Sequence, residues 1–343
     1  MTPQRKNHLA VLRRFKRGRV AVIGDIMLDV YMWGNVNRVS PEAPVPVVNL
    51  RKRSSCLGGA ANVIRNLALL GARVHAFGVT GDDATADEVC SEFKELGISV
   101  DGIIRDGSRR TTEKRRIIAG GQQLLREDIE DTAPVSDGIR RKITDRVIEM
   151  IHAGELDAVI FEDYAKGVLC SWMLGEIVAA AGNAVFTALD PKPGNLEPVR
   201  GIGVIKPNRL EAFAMANCSD WPTSPTNPLR DKRLAAVAAK LLEEWAPEQL
   251  MISLAAQGLI LYRRGSGSAC VIPTRAREVF DVSGAGDTVT GTYTLSLISG
   301  AAPEEAAEIA NLAAGVVVAK VGTAPITYAE LKAACTAAAM EEK

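Results

Sequence analysis

The sequence predicts an α/β protein in which a mainly parallel sheet is covered on both faces by helices. Three observations carry this reading. Short apolar runs of strand length alternate with helical stretches along most of the 343 residues, the pattern of repeated strand–helix units. The first run, Arg19-Val20-Ala21-Val22-Ile23-Gly24, is apolar after its arginine and ends in Gly24-Asp25, the form expected of a buried parallel strand. Hydrophobic residues make up 47% of the chain, which supplies a sizeable core for one large domain or two small ones.

After this strand the chain changes character. Residues 31–56 carry Val-Pro-Val-Val and a Ser-Pro start, which predicts an edge strand or hairpin and not a helix. A helix is predicted over 60–70, closed by Gly71 as its C-cap. A second β-rich patch, at about 100–127, shares the character of the first. Core strands follow over 157–161, 184–189, 203–205 and 249–253, separated by helical stretches. Residues 258–262 and 269–272, joined by a Gly-Ser turn, predict an antiparallel hairpin at the sheet edge. The Pro-, Ser- and Thr-rich residues 219–228 predict a surface loop and not a domain linker. Thr327, with Glu330 three residues on, forms a capping box for a last helix. There is no internal repeat.

Bulk properties narrow the function. Lysine plus arginine equals aspartate plus glutamate at 41 each, so no strong field for nucleic acid or membrane is implied and a small substrate is expected. Six scattered cysteines without a Cys-x-x-Cys pair, and three histidines, argue against a zinc site or a disulfide framework and for a reducing compartment. With no apolar run of membrane-spanning length and no signal-peptide core, the expected location is the cytoplasm.

The most informative stretch is Asp281-Val282-Ser283-Gly284-Ala285-Gly286-Asp287-Thr288, a glycine turn and a carboxylate where a helix begins. Amides of such a turn have no intrahelical acceptor, and with the helix dipole they make an anion site fit for a transferring phosphoryl group. Asp287 is badly placed to bind the phosphate itself but well placed to accept a proton from an attacking hydroxyl. The structural alternative is a strand-to-helix turn with Asp as a cap. Two commoner nucleotide signatures are missing: there is no P-loop, and Val289 breaks the dinucleotide fingerprint after Gly284 and Gly286.

The turn resembles the anion-hole signature of the ribokinase-like (PfkB) sugar kinases. Gly24-Asp25-Ile26-Met27-Leu28-Asp29 followed by Gly58-Gly59-Ala60-Ala61-Asn62 resembles the sugar-binding half of that family. Asp163-Tyr164-Ala165-Lys166-Gly167, Asp190-Pro191-Lys192 and Pro207-Asn208-Arg209-Leu210-Glu211 fall between the two in family order, so the resemblance covers roughly 19–323. Residues 40–48, the run Gln122-Gln123-Leu124-Leu125-Arg126 and residues 315–323 are similar to the branch that phosphorylates O1 of a heptose 7-phosphate for the lipopolysaccharide core. Some members carry a fused adenylyltransferase marked by His-x-Gly-His. No such motif occurs here, and the stand-alone kinase form is expected.

The resemblance implies one three-layer α/β/α domain over 1–343, with lid segments at about 31–56 and 100–127 that cover the sugar and make a homodimer. It implies ATP, Mg²⁺ and, as in many relatives, K⁺. Asp287 would be the base, with Gly284, Ala285 and Gly286 forming the anion hole. Asp25, Asp29, Gly58, Gly59, Asn62, Asp163 and Lys166 would bind the sugar, although as isolated residues Asp25 and Asn62 could merely cap a turn and a helix, and Lys166 could pair with a surface carboxylate. Lys114 and Arg116 lie two apart, hence on one strand face, and with Gln123 and Arg126 they would clamp the existing phosphate; a solvated basic strand is the alternative. Asn208 and Glu211 would hold hydrated Mg²⁺, Lys192 would face the nucleotide phosphates, and Ser253, Gly258 and Asn311 would line the nucleotide pocket. Asp281 and Ser283, with 318–323, would form the monovalent-cation site.

Departures from the branch pattern occur at Val30, at Gly120-Gly121, at 254–257 and at Lys206, which stands where threonine is usual. Two rival readings stay open: a kinase of the same family acting on ribose, fructose or a hexose phosphate, and a catalytically silent sugar-binding protein.

Overall fold

The computed structural model describes residues 7–220, 227–276 and 278–341; within the expected loop 219–228, residues 221–226 lie outside the described residues. The strands, in chain order, are β1 (Arg19–Gly24), β2 (Ile26–Val39), β3 (Pro46–Gly59), β4 (Arg73–Thr80), β5 (Ile103–Arg105), β6 (Thr112–Ala119), β7 (Gln122–Ile129), β8 (Ala158–Glu162), β9 (Phe186–Asp190), β10 (Val204–Ile205), β11 (Gln249–Ser253), β12 (Leu259–Arg263) and β13 (Ala269–Ile272).

Among the described residues, nine of these form one sheet in the order β13-β12-β11-β10-β9-β8-β1-β4-β5. Pairing is parallel from β11 to β5, and β12 and β13 add the antiparallel hairpin at the edge. Alternate residues of each strand feed opposite layers, because successive side chains point to opposite faces. Val20, Val22, Ile160 and Met251 pack with Ala60–Leu69, Ala285–Ile298 and Pro303–Val317, while Ala21, Ile23, Phe161 and Ile252 pack with Asp137–His152, Ser171–Ala181 and Lys232–Glu244. This is the α/β/α sandwich, with both sheet faces dry.

The other four strands form a second sheet, β3-β2-β6-β7. β2 and β3 make a long antiparallel hairpin, and β6 lies parallel to β2. Residues 103–105, assigned from sequence to a lid segment, instead pair with β4 at the edge of the main sheet, and β7 runs on to Ile129. The hairpin also starts earlier than 31, since β2 begins at Ile26 directly after Asp25. Residues 26–30, mostly apolar and all buried, form the root of the second sheet, which explains why the change of character only becomes visible further along.

The helix Ala60–Leu69 ends with Leu70 as C-cap and Gly71 at φ +96, as expected of a glycine terminator. The capping box is formed: Glu330 N–H donates to Thr327 Oγ1, and Thr327 N–H to Glu330 Oε2.

Candidate active site

The carboxyl ends of parallel strands gather unpaired backbone groups and loops, and ligands of open α/β sheets bind there. Here β8 ends in Glu162, β9 in Asp190, and Lys206 follows β10, all facing the start of the helix Ala285–Ile298. That helix opens at Gly284 with φ +77, and a methyl on Gly284 would lie 2.7 Å from Asn62 Nδ2 and 2.9 Å from Thr323 Cγ2. Backbone conformation and space therefore both require glycine. Ala285, expected among the anion-hole donors, already donates its N–H to the Val282 carbonyl at 3.2 Å. The first-turn amides of Gly286 and Asp287, which have no intrahelical acceptor, are the donors the geometry leaves for an anion.

Asp287 is 4% exposed. Asn62 Nδ2 donates to its Oδ2 at 2.8 Å, and the Tyr164 hydroxyl donates to its Oδ1 at 2.6 Å. Two donors favour the carboxylate form, but burial outweighs them and lifts the Asp287 pKa above the usual carboxylate range. The orientation of Asn62 is fixed from behind. Arg65 Nη2 donates to Asn62 Oδ1 at 2.7 Å and to the Thr323 carbonyl at 2.8 Å. Because a guanidinium only donates, the amide oxygen must face Arg65 and the amide NH₂ must face Asp287.

Beneath the turn, Glu162, Asp190 and Asp287 each bring an oxygen within 4.8 Å of the others. The Lys206 Nζ sits 2.8 Å from Asp190 Oδ2, and Thr290 Oγ1 donates to the same oxygen at 3.2 Å. Glu162 is fully buried, neither carboxylate oxygen has a hydrogen-bond partner among the described residues, and burial, then the charges of Asp190 and Asp287, push its pKa well up.

On the sugar side the structure separates residues that the sequence groups together. Asp25 is braced by the chain: its oxygens accept the N–H groups of Tyr164 (2.9 Å), Lys166 (3.0 Å) and Val168 (3.3 Å), holding the loop that carries Tyr164. Asp163 is likewise turned to the chain, accepting from Ala165 N, Lys192 N and Asn195 Nδ2, and burial raises its pKa to about 6. The Lys166 Nζ pairs with Glu130 at 2.7 Å.

Asp29, by contrast, joins the second sheet to the body. It accepts from Arg116 Nη1 at 2.5 Å and from Thr323 Oγ1 at 3.1 Å, and Gly58 leaves the room it needs, since a methyl there would lie 2.5 Å from Asp29 Oδ2. Gly59 has φ +54 and starts the helix that carries Asn62.

Lys114 and Arg116 do share a face of β6, in register with Asp29 and Tyr31 of β2 and with Asp128 and Arg126 of β7. The Lys114 Nζ stands 5.3 Å from the centre of the Tyr164 ring, and burial lowers its pKa. Gln123 and Arg126 are exposed further out, with Arg126 paired to Asp128.

On the nucleotide side, Asn208 caps Arg209–Met215 in a capping box with Glu211, and Lys192 Nζ lies 3.7 Å from Glu211 Oε1. The box fixes an amide and a carboxylate at one helix mouth, which suits an ion held through its water shell. Ser253 ends β11 and donates its N–H to the Pro207 carbonyl. Gly258, at φ +90, is required because a methyl would lie 2.1 Å from the Ile272 carbonyl. Asn311 Nδ2 holds the Pro273 carbonyl at 2.7 Å. Asp281 accepts from Ser283 N (2.9 Å) and Gly322 N (3.1 Å), stitching the two loops expected at the cation site.

Sequence reasoning assigned no role to Arg65 or Glu162, named Tyr164 and Asp190 only as parts of motifs, and named Thr323 only within the loop 318–323. Arg65 was findable, since it lies three residues after Asn62 and therefore on the same helical face. Glu162 carried no signal, because only the folded sheet brings it to Asp190.

Residues 17–328 match the sequence model of the pfkB family carbohydrate kinases. The chain belongs to this family. It is an ATP-dependent sugar kinase. Among similar proteins, the bifunctional protein HldE of Pelobacter propionicus is 38% identical over 329 residues, covering 95% of this chain and 65% of that protein. The HldE of Desulfatibacillum aliphaticivorans is 41% identical over 323 residues, covering 93% and 63% respectively. This pfkB kinase thus spans less than two thirds of the length of these relatives. In fold it is similar to phosphofructokinase-2 from Escherichia coli in complex with potassium (TM-score 0.73, 17% identity, 93% of this chain and 98% of that one). The Arabidopsis thaliana ribokinase complexed with ribose and ATP is also similar (TM-score 0.67, 16% identity, 92% and 98%). Among the described residues no helix is long and apolar enough to cross a membrane.

Proposed function

We propose that this kinase transfers the γ-phosphoryl group of ATP to O1 of D-glycero-D-manno-heptose 7-phosphate, forming the β-1,7-bisphosphate used for ADP-heptose and the lipopolysaccharide core. One observation carries the choice of a phosphorylated sugar: the cationic face of β6 stands one aromatic ring away from the base. Lys114 lies over Tyr164, and the Tyr164 hydroxyl donates to Asp287. A substrate with its reacting hydroxyl at Asp287 can place a remote phosphate against Lys114 and Arg116, with Arg126 further along the same face. The motif resemblance and the 36–41% identity to HldE proteins support the same sugar.

In this reading Asp287 accepts the hydroxyl proton as the new bond to phosphorus forms, and the Gly286 and Asp287 amides stabilise the charge gathering on the transferred group. Asn62 and Tyr164 hold the carboxylate in line. Asn208 and Glu211 would hold Mg²⁺ through water, and the ion supplies charge neutralisation on the nucleotide phosphates, beside Lys192. Asp281 and Ser283 would border a K⁺ site that stiffens the glycine turn. Asp25 and Asp163 brace the Tyr164 loop through its backbone N–H groups.

The second sheet serves as a lid, and its outer part exposes Val36, Val39, Val45, Leu50, Leu124 and Leu125, which pairing with a second copy would cover. The enzyme is therefore a homodimer acting in the cytoplasm. Phosphate transfer from ATP across heptose 7-phosphate, unphosphorylated heptose, ribose, fructose and hexose phosphates tests the substrate. A higher kcat/KM on any of the others than on heptose 7-phosphate would refute it. A monomer by light scattering at micromolar concentration would remove the dimer.

A further inference from the structure

The reaction leaves Lys206 without a task, although it is among the most deeply buried charges of the site. It extends from the residue after β10, its backbone N–H held by the Leu189 carbonyl, into a space lined by Glu162 of β8, Asp190 of β9 and Asp287 of the helix Ala285–Ile298. Three carboxylates with oxygens inside 4.8 Å, two of them almost fully buried, repel one another, and a cation among them is the direct way to keep them together. The Lys206 Nζ is that cation, 2.8 Å from Asp190 Oδ2. It also faces the anion turn: a methyl on Gly286 would lie 3.4 Å from Lys206 Nζ and 3.9 Å from Asp190 Oδ2. Glu162 supplies an independent sign, since both of its carboxylate oxygens are buried without a hydrogen-bond partner among the described residues.

We propose that the Lys206 ammonium is the resident counter-ion of the Glu162–Asp190–Asp287 cluster, filling the place a divalent ion would otherwise take and holding Asp287 beside the Gly286 turn. Lys206 is a positioning residue acting through Asp190 and Asp287. Its kinetic role rests on the reading of Asp287 as the base, whereas its occupancy of the cluster does not.

The first test is Mn²⁺ binding to the nucleotide-free enzyme, followed by electron paramagnetic resonance. Wild type and Glu162→Gln should give the same isotherm, because no ion enters the cluster. Lys206→Met should gain a Mn²⁺ site that Lys206→Met/Glu162→Gln lacks. A wild-type Mn²⁺ site that Glu162→Gln abolishes would overturn the proposal, as would a Lys206→Met variant that gains none.

The second test is kinetic. Lys206→Met should lower kcat by on the order of ten- to a hundredfold while the KM values for sugar and ATP stay within about twofold, and Glu162→Gln in the same chain should restore part of the loss. Should Lys206→Met fail to fold, the double variant decides: the proposal expects it folded, with kcat below wild type, and an unfolded double variant counts against it. Asp287→Asn is measured alongside. Near-normal turnover there would sink the base assignment and leave the Mn²⁺ result standing.

Discussion

The two sides of the site are built on different terms. The catalytic side is buried and saturated: Asp287 takes two donors, Asn62 is fixed by Arg65, and Gly284 has no room for a methyl. The facing side, on the second sheet, grows more exposed with distance from the body, from the buried Arg116–Asp29 pair to Arg126, whose partner Asp128 lies on its own strand. A reacting atom tolerates little displacement, so its supports are paired and desolvated. A remote phosphate can be held by long, partly solvated cations, each worth less. Damage on the first side should thus appear in kcat, and damage on the second in KM.

The largest effect is expected for Asp287→Asn, which keeps the shape and removes the proton acceptor: turnover should fall on the order of hundreds-fold or more, with sugar and ATP binding by calorimetry nearly intact. Gly284→Ala comes next. It must accommodate φ +77 and a methyl 2.7 Å from Asn62 Nδ2, so kcat should drop on the order of a hundredfold; a variant within about threefold of wild type would show that the turn has slack. The pH profile then sharpens the contrast. The base must be ionised, and burial raises its pKa, so kcat should fall as pH drops, starting above the range of an exposed carboxylate. An acid limb at ordinary carboxylate pH would contradict the buried-base geometry.

Smaller and different in kind is Lys114→Ala or Arg116→Ala, which should raise KM for the sugar phosphate by on the order of tenfold and leave KM for ATP little changed. Equal losses on the unphosphorylated sugar would break the division of labour. The smallest shift is expected for Arg126→Ala, about twofold in KM, since that side chain is exposed and already paired within β7.

Legibility in the sequence followed the same division. The glycine turn, the helix start and the strand ends were readable because backbone requirements leave local marks, and Gln249–Ser253 and Ala269–Ile272 fall where alternation placed them. Asp25 and Asp163 show what a motif leaves out: a carboxylate next to a glycine turn serves a ligand or its own backbone, and only the folded loop shows which neighbouring amides donate to each. The second lid segment began too early because β5 is short and its partner in the main sheet is β4, a pairing across more than twenty residues that no local pattern encodes. Glu162 and Lys206 become meaningful only when β8, β9 and β10 lie side by side.

Thr323 joins three parts of the molecule. Its N–H donates to the Tyr31 hydroxyl at 3.0 Å, its Oγ1 to Asp29, and its carbonyl accepts from Arg65, while the adjacent Gly322 N–H is held by Asp281. A tilt of β2 as the sheet comes down on a sugar therefore cannot stay local. It pulls on the loop that borders the phosphate turn and on the guanidinium that orients Asn62. The root of the second sheet and the aim of Asp287 are thus linked through one threonine, so a change at either end is mechanically felt at the other.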